Sequence, residues 1–314
     1  MVPVILDHDG NMDDLLSLML LLTMPTVKVI GVSVTPADCY GEYAVESTAK
    51  ILKLFGQEET PIGLGQFHGI NPFPRDWRAR PKVLNALPLL INVECEAQLA
   101  KVQSSVSLMT QLLSQASEPI TIVMTGPCSN LVRTLEQSPN LQSKIHSVIW
   151  MGGAVDVIGN VRQHTHDGSA EWNAYWDPIA SQKLFELGLP LVLVPLDITN
   201  QTPVEYSFLK ALARQVQHPV SNLAGQIWAT TVDALPAYEY TYYMWDILAT
   251  SFVEIPHAFQ CTGMRLAAIS SGASAGRTLR DPKAPLTRVA QQLDKEYFYA
   301  YILRRFARSF QGIG

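Results

Sequence analysis

The sequence has little cysteine and no run of basic residues. Its four cysteines are spread over 314 residues without a Cys-x-x-Cys pair. This spacing predicts neither a zinc site nor a disulfide framework, and it is typical of a reducing compartment. The net charge is −5, and lysine and arginine do not cluster. That balance argues against a nucleic-acid-binding surface and favours a small-molecule partner.

Long hydrophobic runs are also missing. The most apolar stretch, residues 15–22, is too short to span a bilayer, and the N-terminus lacks the basic segment that opens a signal peptide. We therefore expect a cytoplasmic protein with no membrane partner. With 47% hydrophobic residues, the chain can build a well-buried core. We see no repeats and no domain boundary, so we expect residues 1–314 to form a single domain.

Short apolar runs alternate with helix-like stretches along the first two thirds of the chain. This βαβα order predicts an α/β fold, with a Rossmann-like, mostly parallel sheet flanked by helices. Strands are predicted at 2–6, 28–34, 120–124, 146–151 and 189–196, and helices at 12–24, 42–55, 178–187 and from Ser129. Residues 60–92 and 152–176 read as long ordered loops. Beyond residue 200 we expect mainly helix, with one strand near 264–269 and a helix ending near 310.

Polar residues or glycines follow the predicted strands. They are Asp7 and Asp9, Asp38, Thr125-Gly126, Gly152-Gly153 and Asp197. Because the carboxyl ends of parallel strands line the ligand crevice of such sheets, we expect these residues to meet at one edge. The sequence thus predicts a site at the carboxyl ends of the strands.

The stretch ILDHDGNMDD, residues 5–14, concentrates negative charge beside the core. It holds four carboxylates in eight positions: Asp7, Asp9, Asp13 and Asp14. Like charges this close repel, and burial penalises each of them. Capping of a helix start would account for one or two of the four. An EF-hand is excluded, because its invariant glycine and final glutamate are replaced by Met12 and Leu18.

Two interpretations of the aspartates remain at this point. A phosphotransferase of the haloacid-dehalogenase kind also places Asp-x-Asp after its first strand, but Asn11 stands where that class usually has threonine or valine. A hard cation such as Ca²⁺ would be held by two or three carboxylates and a carbonyl from another strand end. The cation would relieve the repulsion, and we favour this interpretation.

The aspartate pattern also resembles the calcium-dependent nucleoside hydrolases, which cleave the N-glycosidic bond of ribonucleosides. Further motifs of that family follow in order: VMTGPCSNL (123–131), IWMGGAVDVIGNV (149–161), AEWNAYWDP (170–178) and MWDILA (244–249). The resemblance covers residues 4 to about 252. The stretches ADCY, INPFPRDWR and YYMWD are similar to the purine-preferring inosine-adenosine-guanosine branch. Trp245 stands where many other members have a histidine before the late metal aspartate.

The resemblance implies a metal centre and a proton acceptor. Asp9, Asp14, Asp246 and the backbone carbonyl of Thr125 would hold Ca²⁺, and Asp9 would also deprotonate the attacking water. Asp7 would orient the other aspartates without binding the metal itself.

The resemblance also implies the substrate contacts. Asp13 would bind a ribose hydroxyl with Asp38 nearby, Asp246 would face the sugar, and the 5′ side would be held by Asn160, Glu171 and Asn173. Trp77 and Trp245 would stack on the two faces of the base. The remaining tryptophans (Trp150, Trp172, Trp176 and Trp228) are expected in the core or an interface, His8 is expected to be structural, and Asp177-Pro178 is expected to begin a helix.

The activity implied is hydrolysis of purine ribonucleosides (inosine, adenosine or guanosine) to free base and ribose, in purine salvage or nucleoside catabolism. Family members form homodimers or homotetramers, so we expect one of these states. Two alternatives stay open at this stage. One is a ribonucleoside-binding protein without turnover, and the other is a nucleoside hydrolase of broad or pyrimidine preference.

Overall fold

The structure is a computed structural model that describes residues 1–75, 78, 81–233 and 241–311. Within these residues, ten strands form one sheet in the order β4-β3-β2-β1-β5-β6-β7-β10-β8-β9. In chain order the strands are β1 (Val2–His8), β2 (Val27–Val34), β3 (Ile62–Leu64), β4 (Gln103–Ser104), β5 (Ile120–Met124), β6 (Ile145–Met151), β7 (Leu191–Val194), β8 (Phe259–Ala268), β9 (Thr278–Arg280) and β10 (Leu286–Leu293).

Helices cover both faces of the sheet. They are α1 (Met12–Thr23), α2 (Gly41–Leu54), α3 (Pro81–Asn85), α4 (Glu96–Leu99), α5 (Ser105–Gln115), α6 (Ser129–Gln137), α7 (Trp172–Trp176), α8 (Pro178–Glu186), α9 (Leu196–Thr199), α10 (Tyr206–Ala213), α11 (Pro219–Asp233), α12 (Trp245–Ser251) and α13 (Lys295–Phe306). Within the described ranges no helix is both long and apolar enough to cross a bilayer.

The central strand β1 shows why the sequence forms this sheet. Successive side chains of a strand point to opposite faces, and both faces of β1 are covered. Val4 and Leu6 join the hydrophobic core formed with α1, α11, α12 and α13, whereas Ile5 joins the core formed with α5, α6 and α8. A strand buried on both faces requires a continuous apolar run, and Val4 to Leu6 supply it.

The predicted fold class is confirmed: the sheet is mostly parallel, and the seven pairings from β4 to β10 are all parallel. Asp177 accepts a hydrogen bond from Ala180 N and caps α8, as expected from the Asp-Pro pair. Trp150, Trp176 and Trp228 are fully buried, and Trp172 is nearly so.

The prediction for the chain beyond residue 200 is wrong in part. Three strands, β8, β9 and β10, extend the sheet there, and β8 pairs antiparallel with both of its neighbours. The C-terminal helix also ends at Phe306 instead of near residue 310. The two predicted loops contain short elements as well: β3 and α3 lie within 60–92, and α7 lies within 152–176.

Candidate active site

The aspartates of the opening stretch lie in the turn from β1 to α1. Gly10 adopts a φ of +84°, and a Cβ there would lie 2.3 Å from the Cβ of Ala44, so only glycine fits this turn. Asn11 then caps α1 by accepting a hydrogen bond from Met12 N. Helix α1 starts directly after the turn, which places Asp13 and Asp14 in its first turn beside the end of β1.

Asp14 is held by donors from three parts of the chain. Its carboxylate accepts hydrogen bonds from Asn11 N at 2.9 Å, from Asp9 N at 3.3 Å and from the Thr125 hydroxyl at 2.5 Å. The bond from Asn11 completes a capping box, so helix capping does explain one of the four aspartates. The other two bonds join the ends of β1 and β5 to the start of α1.

Three buried carboxylates meet at this point. One oxygen each of Asp13, Asp14 and Asp246 can be chosen so that all lie within 4.8 Å of one another. Asp246 comes from the first turn of α12. Asp9 lies beside this triad, since its amide donates to Asp14, and one of its carboxylate oxygens accepts a hydrogen bond from Asp38 N. The structure thus brings Asp9 and Asp38 next to the triad of Asp13, Asp14 and Asp246.

Burial and mutual repulsion disfavour the charged forms of several of these carboxylates. Burial, followed by repulsion from Asp14, raises the pKa of Asp13 to about 7 and that of Asp9 well above its usual range. Burial raises the pKa of Asp38 to about 8, with repulsion from Asp14 and Asp13 adding to it. Burial also places the pKa of Asp246 well above its ordinary value, and repulsion from Asp13 contributes.

No lysine or arginine among the described residues forms an ion pair with these aspartates, and Asp13 Oδ2 is buried without a hydrogen-bond partner. A cluster of buried carboxylate oxygens with an orphaned atom and no paired cation fits a bound metal ion of hard character. The carbonyl of Thr125 accepts a hydrogen bond from Asn173 Nδ2 at 2.8 Å. Because a carbonyl oxygen has two lone pairs, it can accept this bond and still offer an electron pair to a cation.

Glu171 and Asn173 lie at the start of α7, on the side of the site nearest to β6. Glu171 accepts hydrogen bonds from the amides of Gly153, Asn173 and Ala174 at 2.8–3.1 Å, and it caps the helix. Burial raises its pKa to about 7 despite these bonds. Asn160 is tied to the same helix, because its Oδ1 accepts from Trp172 N at 3.0 Å.

Trp245 begins α12 directly before Asp246, and its indole Nε1 is buried without a hydrogen-bond partner. Its ring packs edge-on against Tyr242, with the ring centroids 4.8 Å apart. Tyr242 donates a hydrogen bond to Asp13 Oδ1 at 2.9 Å. Trp77, the other predicted base-stacking residue, lies outside the described residues.

Asp7 is not a member of the triad, and its carboxylate is bound to a side chain of α6. Its Oδ1 accepts a hydrogen bond from Asn130 Nδ2 at 3.0 Å, and burial raises its pKa to about 7. Asn130 also bonds Ser33 and Thr35, which ties α6 to β1 and to the end of β2. The expected structural place of His8 is confirmed, since the ring is fully buried against the Thr48 hydroxyl at 3.0 Å.

Three residues that contact the site were not identified from the sequence. Tyr242 bonds Asp13, Asn130 bonds Asp7, and Asn11 donates to Asp38 at 2.5 Å. All three stand inside motifs that were recognised, namely YYMWD, VMTGPCSNL and LDHDGNMDD. Their partners are distant in sequence, so position within a motif was the only available signal.

The chain is similar to known proteins over nearly its whole length. A family model described as inosine-uridine preferring nucleoside hydrolase matches residues 4–300. The crystal structure of an inosine-uridine preferring nucleoside hydrolase from Bacillus anthracis is similar with a TM-score of 0.90 and 33% identity, covering 98% of this chain and 99% of that chain.

Two further relatives differ from each other in stated preference. The pyrimidine-specific ribonucleoside hydrolase RihA of Escherichia fergusonii is 29% identical over 227 residues, which are 72% of this chain and 70% of that protein. A purine-preferring ribonucleoside hydrolase from Gardnerella vaginalis shares the fold, with a TM-score of 0.76 at 24% identity over 97% of this chain and 98% of that chain. Since the family model spans nearly the whole sequence, this chain belongs to the inosine-uridine preferring nucleoside hydrolase family.

Proposed function

We propose that this chain hydrolyses the N-glycosidic bond of purine ribonucleosides, releasing the free base and ribose. The observation that carries the proposal is the buried triad of Asp13, Asp14 and Asp246 with Trp245 directly beside it. The triad offers carboxylates for a sugar diol and a cation. The tryptophan offers an aromatic face for a base.

We propose Ca²⁺ as the cofactor. The donors are all oxygen atoms, which hard divalent cations prefer, and the set contains no histidine or cysteine. Asp9, Asp14, Asp246 and the Thr125 carbonyl would hold the ion. When bound, Ca²⁺ supplies positive charge that neutralises the carboxylates, orients hydroxyl oxygens and lowers the pKa of the attacking water.

The side chains of the site fit each step of a hydrolysis. A water oxygen forms the new bond to C1′ as the bond from C1′ to the base nitrogen breaks, and Asp9 accepts the proton of that water. Without a metal, burial and repulsion by Asp14 raise the pKa of Asp9. The bound cation would offset this repulsion and keep Asp9 ionised, so that its carboxylate can accept the proton. Asp13 would bind a ribose hydroxyl, and the surrounding negative charge would stabilise the oxocarbenium character that develops on the ribose.

The leaving base would be activated by stacking. Trp245 occupies a position where a histidine could have donated a proton, so this chain lacks that acid. An indole face attracts a cation and would favour a purine protonated at N7 from solvent, by about 0.5–2 kcal/mol. Trp77 would supply the second face of the stack. Asn160, Glu171 and Asn173 would hold the 5′ side of the ribose.

A kinetic panel tests the proposal. We expect purified protein to release ribose from inosine, adenosine and guanosine faster than from uridine and cytidine. Activity should be lost in EDTA and restored by added Ca²⁺. Asp9→Asn should lower kcat by about 10²–10⁴-fold, the usual share of a general base. Asp281→Asn, in an exposed turn where the carboxylate accepts a hydrogen bond from Lys283 N, serves as the matched control.

A broad or pyrimidine preference is the second candidate, and it is supported by the 29% identity to a pyrimidine-specific relative. Faster turnover of uridine or cytidine in the same panel would establish it. A non-catalytic nucleoside-binding protein is the third reading. It predicts tight binding of nucleosides by calorimetry with no release of ribose from any of them.

We also propose that residues 1–314 act as one domain and assemble into a homodimer or homotetramer. The single sheet that runs from β4 to β9 supports the first statement, because strands from both ends of the chain share it. A single calorimetric unfolding transition would be expected. Light scattering behind a sizing column would give the assembly mass.

A further inference from the structure

The turn between β8 and β9, residues 269–277, touches the loop that carries the ribose-binding residues. We call residues 269–277 the hairpin turn and residues 159–171 the 5′ loop. We propose that the hairpin turn positions the 5′ side of the ribose site, and that His166 is the positioning residue that joins the two segments. This inference rests on the proposed function, because it concerns the substrate of that same site.

The 5′ loop is closed at its base by its own backbone. The amides of Asn160 and Val161 donate to the carbonyl of Ala170 at 3.0 and 3.2 Å. A Cβ on Gly159 would lie 2.0 Å from the same carbonyl oxygen, so the two sides of the base are in close contact. The base therefore fixes Asn160 next to Glu171. The tip of the loop is left to be held by another segment.

His166 holds that tip with both ring nitrogens. Its Nδ1 accepts a hydrogen bond from Gly168 N at 3.0 Å, and its Nε2 lies 2.9 Å from the carbonyl of Ala275 in the hairpin turn. The first bond needs a lone pair on Nδ1, and the second needs a hydrogen on Nε2. The geometry therefore assigns the neutral Nε2–H tautomer. The side chain is only 1% exposed, so both bonds are shielded from water.

Asp167 adds two more connections to the hairpin turn. Its backbone amide donates to the carbonyl of Ala273 at 2.9 Å. Its carboxylate accepts a hydrogen bond from the Ser274 hydroxyl and another from Ser169 N at 2.9 Å. The tip of the 5′ loop and the hairpin turn thus share three direct hydrogen bonds from two adjacent residues.

The hairpin turn also supports α7 directly. Gly276 has a φ of +82°, and a Cβ on it would lie 2.6 Å from the Cα of Tyr175. The Tyr175 ring meets the His166 ring edge-on, with centroids 4.7 Å apart. Thr278, the residue after the hairpin turn, makes a second close contact: a Cβ on Gly153 would lie 2.7 Å from its hydroxyl. Gly153 is the residue whose amide donates to Glu171.

These contacts place the hairpin turn behind the side chains that would meet the 5′ hydroxyl. Glu171 and Asn173 are held by α7 and by Gly153. Helix α7 contacts the hairpin turn at Gly276, and Gly153 contacts Thr278, the residue after the turn. Loosening His166 should therefore reduce contacts to the 5′ hydroxyl, while the carboxylate triad at the other end of the sugar keeps its own hydrogen bonds.

The test compares inosine with 5′-deoxyinosine in the Ca²⁺-loaded enzyme. His166→Phe keeps the ring against Tyr175 and removes both hydrogen bonds. We expect KM for inosine to rise about tenfold, the size typical of one lost contact, while kcat/KM for 5′-deoxyinosine changes less than about twofold. His166→Gln, whose amide can donate to the Ala275 carbonyl, should recover part of the loss.

A matched pair of serine variants distinguishes the loss of one hydrogen bond from a general folding defect. Ser274→Ala removes the bond to Asp167, and Ser271→Ala removes an exposed hydroxyl of the same turn. We expect the first to shift KM for inosine in the same direction as His166→Phe, and the second to leave both substrates unchanged.

Equal losses on inosine and 5′-deoxyinosine in His166→Phe and Ser274→Ala would overturn the inference, and so would unchanged kinetics in both variants. A wild-type enzyme that releases hypoxanthine from neither substrate would instead refute the proposed function. The wild-type control therefore separates the two failures.

Discussion

At the scale of single residues, Tyr242 contacts the triad, although its role was not predicted from the sequence. Its hydroxyl donates to Asp13 Oδ1, whereas Asp13 Oδ2 is buried without a partner. A buried carboxylate that loses a hydrogen bond typically costs about 1–3 kcal/mol. Tyr242 is therefore expected to set the orientation and the charge of Asp13.

Replacing Tyr242 by phenylalanine should lower kcat/KM for inosine by about 10- to 100-fold, because about 1.4 kcal/mol corresponds to each factor of ten. The matched control is Tyr243→Phe. The Tyr243 ring also contacts Trp245, at 5.7 Å between centroids. Steady-state kinetics of both variants check the prediction, and similar losses in the two would count against a specific role for the Tyr242 hydroxyl.

Trp245 carries the proposed activation of the leaving base. Trp245→Ala should reduce turnover of purine nucleosides far more than turnover of p-nitrophenyl riboside, whose leaving group needs no protonation. Loss of the stacking contact alone predicts about a 2- to 30-fold difference between the two substrates. Measuring kcat for both substrates decides the point. Equal losses would mean that the indole only shapes the pocket.

At the scale of elements, α6 fixes the end of β1 through a single side chain. Asn130 bonds Asp7 on β1, Ser33 on β2 and Thr35 just beyond β2, at 2.8–3.1 Å. A Cβ on Gly65 would lie 2.8 Å from Asn130 Oδ1, so the loop after β3 also closes over this amide. Asn130 thus sets the relative position of three parallel strands below the carboxylates.

Asn130→Asp keeps the size of the side chain but removes its donors and sets a carboxyl group against Asp7. We expect the free energy of unfolding to fall by about 3 kcal/mol, as for other broken buried polar pairs. Urea unfolding followed by circular dichroism gives this value. Asn140→Asp, at an exposed position, is the matched control and should stay within about 0.5 kcal/mol of wild type.

The sequence predicted elements well where burial is continuous and poorly where it is not. Strand β5 was predicted with its observed bounds, because its five residues are all apolar or buried. Strands β3 and β4 have three and two residues, too few for any periodic pattern. Strand β10 alternates buried and exposed positions and contains Arg288, so it did not resemble the buried parallel strands.

The same contrast holds for the candidate site. Its aspartates were found because four carboxylates beside a core are unusual in any sequence. The bonds that hold them were not found, since Asn130 lies 123 residues from Asp7 and Tyr242 lies 229 residues from Asp13. Such pairs depend on strand order and helix placement, which local patterns do not encode.

At the scale of the whole molecule, the buried acids couple stability to pH. Burial raises the pKa values of Asp7, Asp13 and Glu171 to about 7, and that of Asp38 to about 8, from ordinary values near 4. Between about pH 4 and pH 8 the folded chain therefore binds more protons than the unfolded chain. The stability that these four groups contribute without metal is greatest at the acid end of that window, and this contribution is lost as the pH rises through 7–8.

Thermal unfolding should show this dependence directly. In EDTA, we expect Tm to fall between about pH 5.5 and pH 8. Added Ca²⁺ should raise Tm, and more strongly at the higher pH, because protons compete with the ion for the same carboxylates. Asp246→Asn should reduce the Ca²⁺-dependent part of the increase. A Tm that rises with pH in EDTA would contradict the proposed charge balance.

The capping box at the start of α1 has a consequence for engineering. Asp14 is both the residue that closes the helix start on Asn11 and a member of the carboxylate triad. Replacing Asp14 to change the cation preference of the proposed metal site would also remove the hydrogen bonds that join the start of α1 to the ends of β1 and β5. Asp246 is not part of a capping box. A design for a softer or smaller cation should therefore change Asp246 in α12 and leave the turn between β1 and α1 intact.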